Sequence, residues 1–458
     1  MTQYQTPYTP SINAGTLNTA FGGNHTDEGM LSLISKFDYN FAEKYFLSAS
    51  YRRDGSSRFA PGHRWGGFYS VSGAWRFTRE EFMKDVTGWL TEGKLRASYG
   101  TSGTRPGGLY DYSGGYSFGS DYYNISGANI DNVENYNLSW EKNRIFDIGL
   151  DLSFWNGRVT LEADWYDRKS DSLLIDQELS RTTGFSTATV NLGKLGNKGF
   201  EVALGGYIVE TKNFSWDAKL NLTYLQNKLL EYPADDVGTY TITREGEPLH
   251  TWYLPEWAGV DPNTGEPQWY KVDDQTGEKT IVKNYADATR QILGNYNPKW
   301  SGGLSTTITF YNFELSALAG FGWGFKVFDY AGPVSWDDDG NSATITHERR
   351  MLDYWTPNNT SGTRPLLLQS VKNGSNYSSR YIYDGDYLKL KNLKLAYNVP
   401  MKACQAINAR GLTVYVQAEN LFLLNALNFD PEVTTAGGRY AYTWAPQRTY
   451  ILGLNITF

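Results

Sequence analysis

The sequence holds one cysteine, Cys404, in 458 residues, which excludes a disulfide framework and a cysteine-based zinc site. Its four histidines, His25, His63, His250 and His347, lie singly in or beside polar segments. No nucleophile motif accompanies them, so they assemble no catalytic constellation. No window approaches the roughly 18 uninterrupted apolar residues that a spanning helix needs. Positive charge is not in excess either, with 42 Lys and Arg against 49 Asp and Glu for a net charge of -7. A nucleic-acid partner is therefore not expected, because nothing supplies a phosphate-neutralising patch. The opening Met1-Thr2-Gln3-Tyr4-Gln5-Thr6-Pro7 has neither the basic nor the apolar region of a secretory signal. An enzyme, a cofactor and a bound metal are not expected.

What the chain has in quantity is aromatic residues and glycine: 16% Phe, Trp and Tyr, 34 Tyr alone, and 47 Gly. A membrane barrel uses such a mixture for an apolar outer band, aromatic girdles and a polar interior. The dominant pattern is apolar/polar alternation over long stretches, the signature of a two-faced strand. Tyr450, Leu452, Leu454, Ile456 and Phe458 share one face of the last segment, opposite Thr449, Gly453, Asn455 and Thr457. Phe146, Ile148, Leu150, Leu152 and Phe154 alternate with Asp147, Gly149, Asp151 and Ser153, and Val159, Leu161, Ala163 and Trp165 continue the pattern after an Asn156-Gly157 hairpin turn.

Similar segments start near Leu31, Tyr45, Gly67, Lys94, Gly199, Phe214, Trp300, Phe313, Tyr387 and Leu412, about thirteen in all, each near the length of a tilted membrane strand. In the Tyr387 segment the apolar phase slips after Leu390, and a bulge near Asn392 restores it. Short connections such as Ala42-Glu43-Lys44, Thr211-Lys212-Asn213 and Tyr311-Asn312 alternate with long ones, while 80–90 and 401–410 read as short helical turns. That asymmetry fits periplasmic turns and external loops. The fold expected is all-β: a transmembrane antiparallel up-and-down β-barrel, of which residues 28–458 form the C-terminal portion and 1–27 the tail of an external loop. An odd strand count puts the two ends on opposite sides, so the chain is expected to be part of a larger barrel. A soluble sheet protein is disfavoured, because its strands are usually about five to six residues long.

Several motifs bear on the family. Tyr51-Arg52-Arg53-Asp54-Gly55-Ser56-Ser57-Arg58-Phe59 is followed by Arg64-Trp65-Gly66 and by Ser70-Val71-Ser72-Gly73-Ala74-Trp75-Arg76. Further on come Lys94 to Gly100, Asn197-Lys198-Gly199-Phe200-Glu201, Tyr387 to Leu393, Glu419-Asn420-Leu421-Phe422 and Asp430-Pro431-Glu432. In this order they resemble the SusC/RagA family of TonB-dependent outer-membrane importers. The resemblance implies a parent protein with signal peptide, TonB box, plug domain and a barrel of 22 strands, parts of which have no counterpart here. It also implies import of oligosaccharides or other large nutrients across the outer membrane of a Gram-negative bacterium. The implied partners are a SusD-like surface lipoprotein, TonB, the barrel assembly machinery, outer-membrane lipid and a glycan or peptide substrate. Other readings are a passive porin or secretion barrel, or a receptor for a siderophore or peptide.

Candidate solute contacts are Trp252, Trp257, Trp269, Trp323, Tyr330 and Trp336, since an aromatic ring offers a sugar a large apolar face with a polar edge. The row Tyr450, Leu452, Leu454, Ile456 and Phe458 resembles an assembly signal, and an exposed terminal strand is a template for β-augmentation. Asp337-Asp338-Asp339-Gly340 and Asp261-Pro262-Asn263-Thr264-Gly265 carry closely spaced oxygen ligands but lack calcium-loop spacing, and turn chemistry accounts for them without a metal. Glu162 and Asp164, two apart on one strand face, read as the lining of a polar lumen rather than as an acid/base pair.

Overall fold

The computed structural model describes residues 26–458 apart from 87, 124, 131, 343, 370–373 and 436. The loop tail expected over residues 1–27, and with it His25, thus falls almost wholly outside the described residues. Thirteen strands form one antiparallel sheet in chain order. They are β1 (Met30–Phe41), β2 (Tyr45–Ser56), β3 (Trp65–Trp75), β4 (Leu90–Thr104), β5 (Glu141–Phe154), β6 (Val159–Asp171) and β7 (Lys194–Glu210). They continue as β8 (Phe214–Glu231), β9 (Trp300–Phe310), β10 (Phe313–Trp323), β11 (Tyr387–Asn398), β12 (Gly411–Asn425) and β13 (Thr449–Thr457). Every strand pairs with its chain neighbours, so the sheet is a meander without crossovers.

Register turns the separate alternations into one surface. Across β5 to β10 the row Ile148, Trp165, Phe200, Tyr224, Trp300 and Trp323 is continuous, each residue opposite the next. Rows below it read Leu152, Leu161, Leu204, Leu220 and Leu304, and the lower margin ends on Phe214, Phe310 and Phe313. None of these side chains is buried, and Ile148, Trp165, Trp323, Leu204, Leu304, Phe310 and Phe313 are more than a third exposed; on β13 Leu452 is 79% exposed, and Phe458 just past its end 75%. So extensive an exposed apolar face belongs against lipid. From Trp300 to Phe310 the wall is 11 residues tall, which at about 3.3 Å per residue and a tilt of about 40° makes roughly 25 Å, the height of the apolar band of a membrane barrel.

The opposite face is polar and ion-paired. Arg96 contacts Asp151 at 2.9 Å and Asp164 at 2.7 Å, and Asp147 stands 3.8 Å away. Asp164 is thus committed to a guanidinium, which suits a lumen wall.

The slip in β11 is resolved as the pattern requires. Lys391 is skipped in the pairing with both neighbouring strands, so Leu388 and Leu390 face the same way as Leu393 and Leu395. The β5–β6 turn differs from the two-residue form expected for Asn156-Gly157. Phe154 pairs with Val159, leaving four residues in the turn, and Trp155, Asn156 and Gly157 all take positive φ (48°, 58° and 86°). At this end the other turns are short, or hold short helical turns at Phe77–Arg79, Glu81–Met83 and Met401–Gln405. The long connections all leave the opposite end.

Candidate functional site

Three of those long connections interlock into a cap. Segment 232–299 folds into two small antiparallel sheets. One contains Thr251–Pro255 paired with Arg290–Asn295, and the other is the meander Trp257–Val260, Pro267–Val272, Lys279–Val282. Lys326–Asp329, from segment 324–386, pairs antiparallel with Ile382–Asp384 and parallel with Arg439–Tyr440 of segment 426–448. Aromatic residues fill the seams: Trp252, Leu254, Phe328 and Tyr381 form one core, and Phe325, Val327, Ala331, Phe429 and Tyr440 another. Hydrogen bonds cross between segments, with Trp252 Nε1 donating to Lys326 O at 2.9 Å, Tyr285 Oη to Tyr377 O at 2.8 Å and Trp355 Nε1 to Pro262 O at 3.0 Å.

Charge is buried at the centre. Asp337 and Asp339 are fully buried and Arg380 nearly so. The Arg380 guanidinium takes both oxygens of Asp339, at 2.6 and 2.7 Å, and reaches Asp337 at 3.3 Å, while Arg364 reaches Asp337 at 2.8 Å. Burial pushes the Asp339 carboxyl above its ordinary range even though Arg380 pulls it down. Burial likewise raises the Tyr381 phenol well above its usual value. Asp338 contacts His347 Nε2 at 2.7 Å. The acidic run at 337–339 is thus engaged by Arg and His side chains and, at Asp338, by the Gly340 and Ser342 N–H groups, and no group of three or more potential metal ligands occurs among the described residues. Asp261 caps its own turn, accepting from Asn263 N–H at 2.9 Å and pairing with Lys283 at 2.7 Å. Lys283 first, then that backbone N–H, hold its carboxyl down to about 2.

The aromatic candidates scatter. Trp252 and Trp269 are 1% and 2% exposed and serve as cap core, because large rings at strand crossings are the best filler for small sheets. Trp323 keeps the outward parity of β10 and stacks on Phe321 with centroids 4.4 Å apart, which places it in the girdle. Trp257 and Tyr330 are half-buried in the cap, under the guanidinium groups of Arg380 and Arg439 at 5.1 and 4.9 Å. The Trp336 side chain lies outside the described residues. The arginine-carboxylate cluster, which Arg350 joins at 3.4 Å from Asp337, was not anticipated; the spacing of Arg350, Arg364 and Arg380 across one loop offers no periodic signal.

A wall apolar outside and charged inside, under a folded cap, is the geometry to compare with known proteins. Residues 2–421 match the family model described as TonB dependent receptor-like, beta-barrel. The chain belongs to that family. It is 28% identical to TonB-dependent receptor P3 of Formosa agariphila over 94% of this chain and 45% of that protein. It is 27% identical to TonB-dependent receptor SusC of Bacteroides thetaiotaomicron over 96% and 44%. Among solved structures it matches the RagAB peptide transporter with a TM-score of 0.84 at 26% identity, covering 94% of this chain and 48% of that one. The same score is reached at 28% identity with the RagAB peptide importer in its 'closed-closed' state, again over 94% and 48%. The chain thus spans a little under half the length of these relatives. It is a stretch of SusC/RagA-type transport barrel in the outer membrane of a Gram-negative bacterium, not an enzyme.

Within this SusC/RagA-type wall the motifs have structural tasks. Arg58 clamps Glu28 at 3.0 Å and the carbonyls of Pro106 and Gly107 at 2.7 Å each, and Phe59 packs on Trp140 with centroids 5.0 Å apart. Lys389, from the Tyr387–Leu393 motif, holds Asp430 at 2.6 Å and Glu432 at 2.9 Å. The Asp430-Pro431-Glu432 loop is thereby tied to β11. Asn227 Nδ2 donates to Asn197 Oδ1 at 2.7 Å, and its Oδ1 accepts from Leu249 N–H at 2.8 Å, joining wall to cap.

Proposed function

We propose that this chain is the C-terminal part of the wall, and much of the extracellular cap, of a closed 22-stranded TonB-dependent importer, with an oligopeptide as the first candidate for its solute. The observation that carries the reading is the combination of a lipid-facing wall with three external segments folded into one body over its end. The peptide class draws its support from the solved RagAB peptide importers, which superpose on 94% of the chain with a TM-score of 0.84. The oligosaccharide class came from the family resemblance, with six aromatic residues as its candidate contacts. Two of these are core and one faces outward, which leaves Trp257 and Tyr330 as the half-buried rings within the described cap. A SusD-like lipoprotein would seat on the cap, and TonB would act through parts of the parent protein beyond this segment. The outward row of β13, Tyr450 to Ile456 with Phe458 beyond it, is proposed as the strand read by the assembly machinery.

Growth on defined peptide mixtures and on glycans tests this, in a strain carrying the full-length receptor, its deletion, or an inactivated TonB. The expected result is loss of peptide-dependent growth in both mutants with glycan growth intact. Loss on a glycan alone would favour the oligosaccharide class, and uptake that survives TonB inactivation would replace the importer with a passive pore.

A further inference from the structure

Directly beyond the aromatic row, on the outward face of β5 to β8, the register sets out a band of cations. The row after Ile148, Trp165, Phe200 and Tyr224 is Phe146, Asp167, Lys198 and Gln226; the next is Arg144, Lys169, Gly196 and Lys228; the third is Lys142, Asp171, Lys194 and Glu231. Three carboxylates thus face six cations. Asp171 is taken by Arg144, Asp167 lies 3.5 Å from Lys169 and 3.6 Å from Lys198, and Glu231 is taken by Lys194. Lys142 and Lys228 are exposed and show no ion pair among the described residues. Arg144 and Lys169 stand directly opposite one another, and with each already beside a carboxylate, Asp171 and Asp167, the excess of positive charge comes from Lys142, Lys228 and the 6:3 ratio of the band as a whole.

We infer that this band binds the phosphate groups of an outer-leaflet lipid headgroup. Three features commit it to lipid rather than to a soluble anion. The cations point outward, the way the apolar wall points. They begin one row beyond the aromatic girdle, and at about 5 Å of height per row the first two rows fall within the headgroup layer. Long, flexible Lys and Arg side chains at that level keep their stems on apolar surface and their charge among headgroups. The inference rests on the membrane placement of the wall, and it adds a lipid-specific site to a surface that would otherwise only be greasy.

The test uses the full-length receptor in phosphatidylcholine vesicles containing about 10 mol% of an acylated, bis-phosphorylated glucosamine disaccharide or its dephosphorylated form, the phosphorylated lipid being the one the cations attract. Lipid retained per receptor after detergent extraction is counted. The wild type is expected to retain the phosphorylated lipid in preference. R144Q/K169Q/K228Q is expected to retain roughly tenfold less, and the charge-preserving R144K/K169R/K228R about as much as wild type. Equal retention of the two lipids, undiminished retention in the glutamine variant, or displacement by millimolar inorganic phosphate would each overturn the site. Should the glutamine variant fail to assemble, the wild-type preference between the two lipids decides alone. A wall that is not in the membrane at all would retain neither lipid, and that outcome would overturn the placement as well.

Discussion

Along β9 every second side chain from Trp300 to Phe310 looks away from the sheet interior, and a neighbour on β8 or β10 continues each row. In the cap, by contrast, Arg380 finds Asp339 41 residues away along the chain, and Trp257 N–H donates to Ser379 Oγ across 122. The wall gains its order from a period of two repeated thirteen times. The cap gains its order from particular long-range partners, each of which must be present. A wall of this kind tolerates change wherever polarity is kept, whereas the cap is sensitive to the loss of single groups.

The largest expected effect falls in the cap. Arg380→Ala leaves Asp339 and Asp337 buried without their shared cation, a change worth about 3–5 kcal/mol. Limited proteolysis should show segment 324–386 cut rapidly in the variant while the heat-modifiable barrel band on a gel persists; simultaneous loss of both would mean that cap and wall are one cooperative unit. Next comes a wall residue near the middle of its span. Leu304→Arg on the outward face should cost about 2–4 kcal/mol in lipid, and Ser305→Arg, one residue along and facing inward, far less. Equal costs in urea unfolding would erase the distinction between the faces. A smaller loss, about 1–3 kcal/mol, is expected for Gly199→Ala, because a Cβ there would collide with the Tyr224 carbonyl oxygen and the Tyr166 hydroxyl. A neutral Gly199→Ala would show that β7 and β8 can part without penalty.

The smallest effect is a pH response. Asp261 has its folded value lowered to about 2 by Lys283 and the Asn263 N–H, below the unfolded value of about 3.9. Its contribution is therefore fully present above pH 4 or so and is lost as pH falls toward 2. Amide exchange of the turn at 261–266 should rise over that window in the wild type and be fast throughout in Lys283→Ala.

The contrast also explains what could be read from the residues alone. Strand positions followed from alternation so directly that β9 and β10 run from Trp300 to Phe310 and from Phe313 to Trp323, the bounds the pattern gives. Even the bulge at Lys391 was marked, by a slip of phase. The outer ends of β5 to β8 extend beyond the pattern, because hydrogen bonding continues past the girdle where side chains turn polar. The cap was legible only as aromatic-rich loops. Whether Trp252 is core or surface depends on Lys326 and Phe328, more than 70 residues distant, and no local period encodes that. The Lys389 to Asp430 tie was half visible, as two motifs with opposite charge and no indication that they meet.

The central claim, that the Leu and aromatic rows face lipid, is tested most directly by spin labels in the full-length receptor. With Cys404 and any further cysteine of the full-length receptor replaced by Ser, single cysteines at Leu304 and Ser305 would each carry a label in reconstituted bilayers. The label at 304 should be relaxed strongly by dissolved oxygen and hardly at all by a water-soluble nickel chelate, and the label at 305 should show the reverse. Equal access of the chelate to both positions would contradict the account.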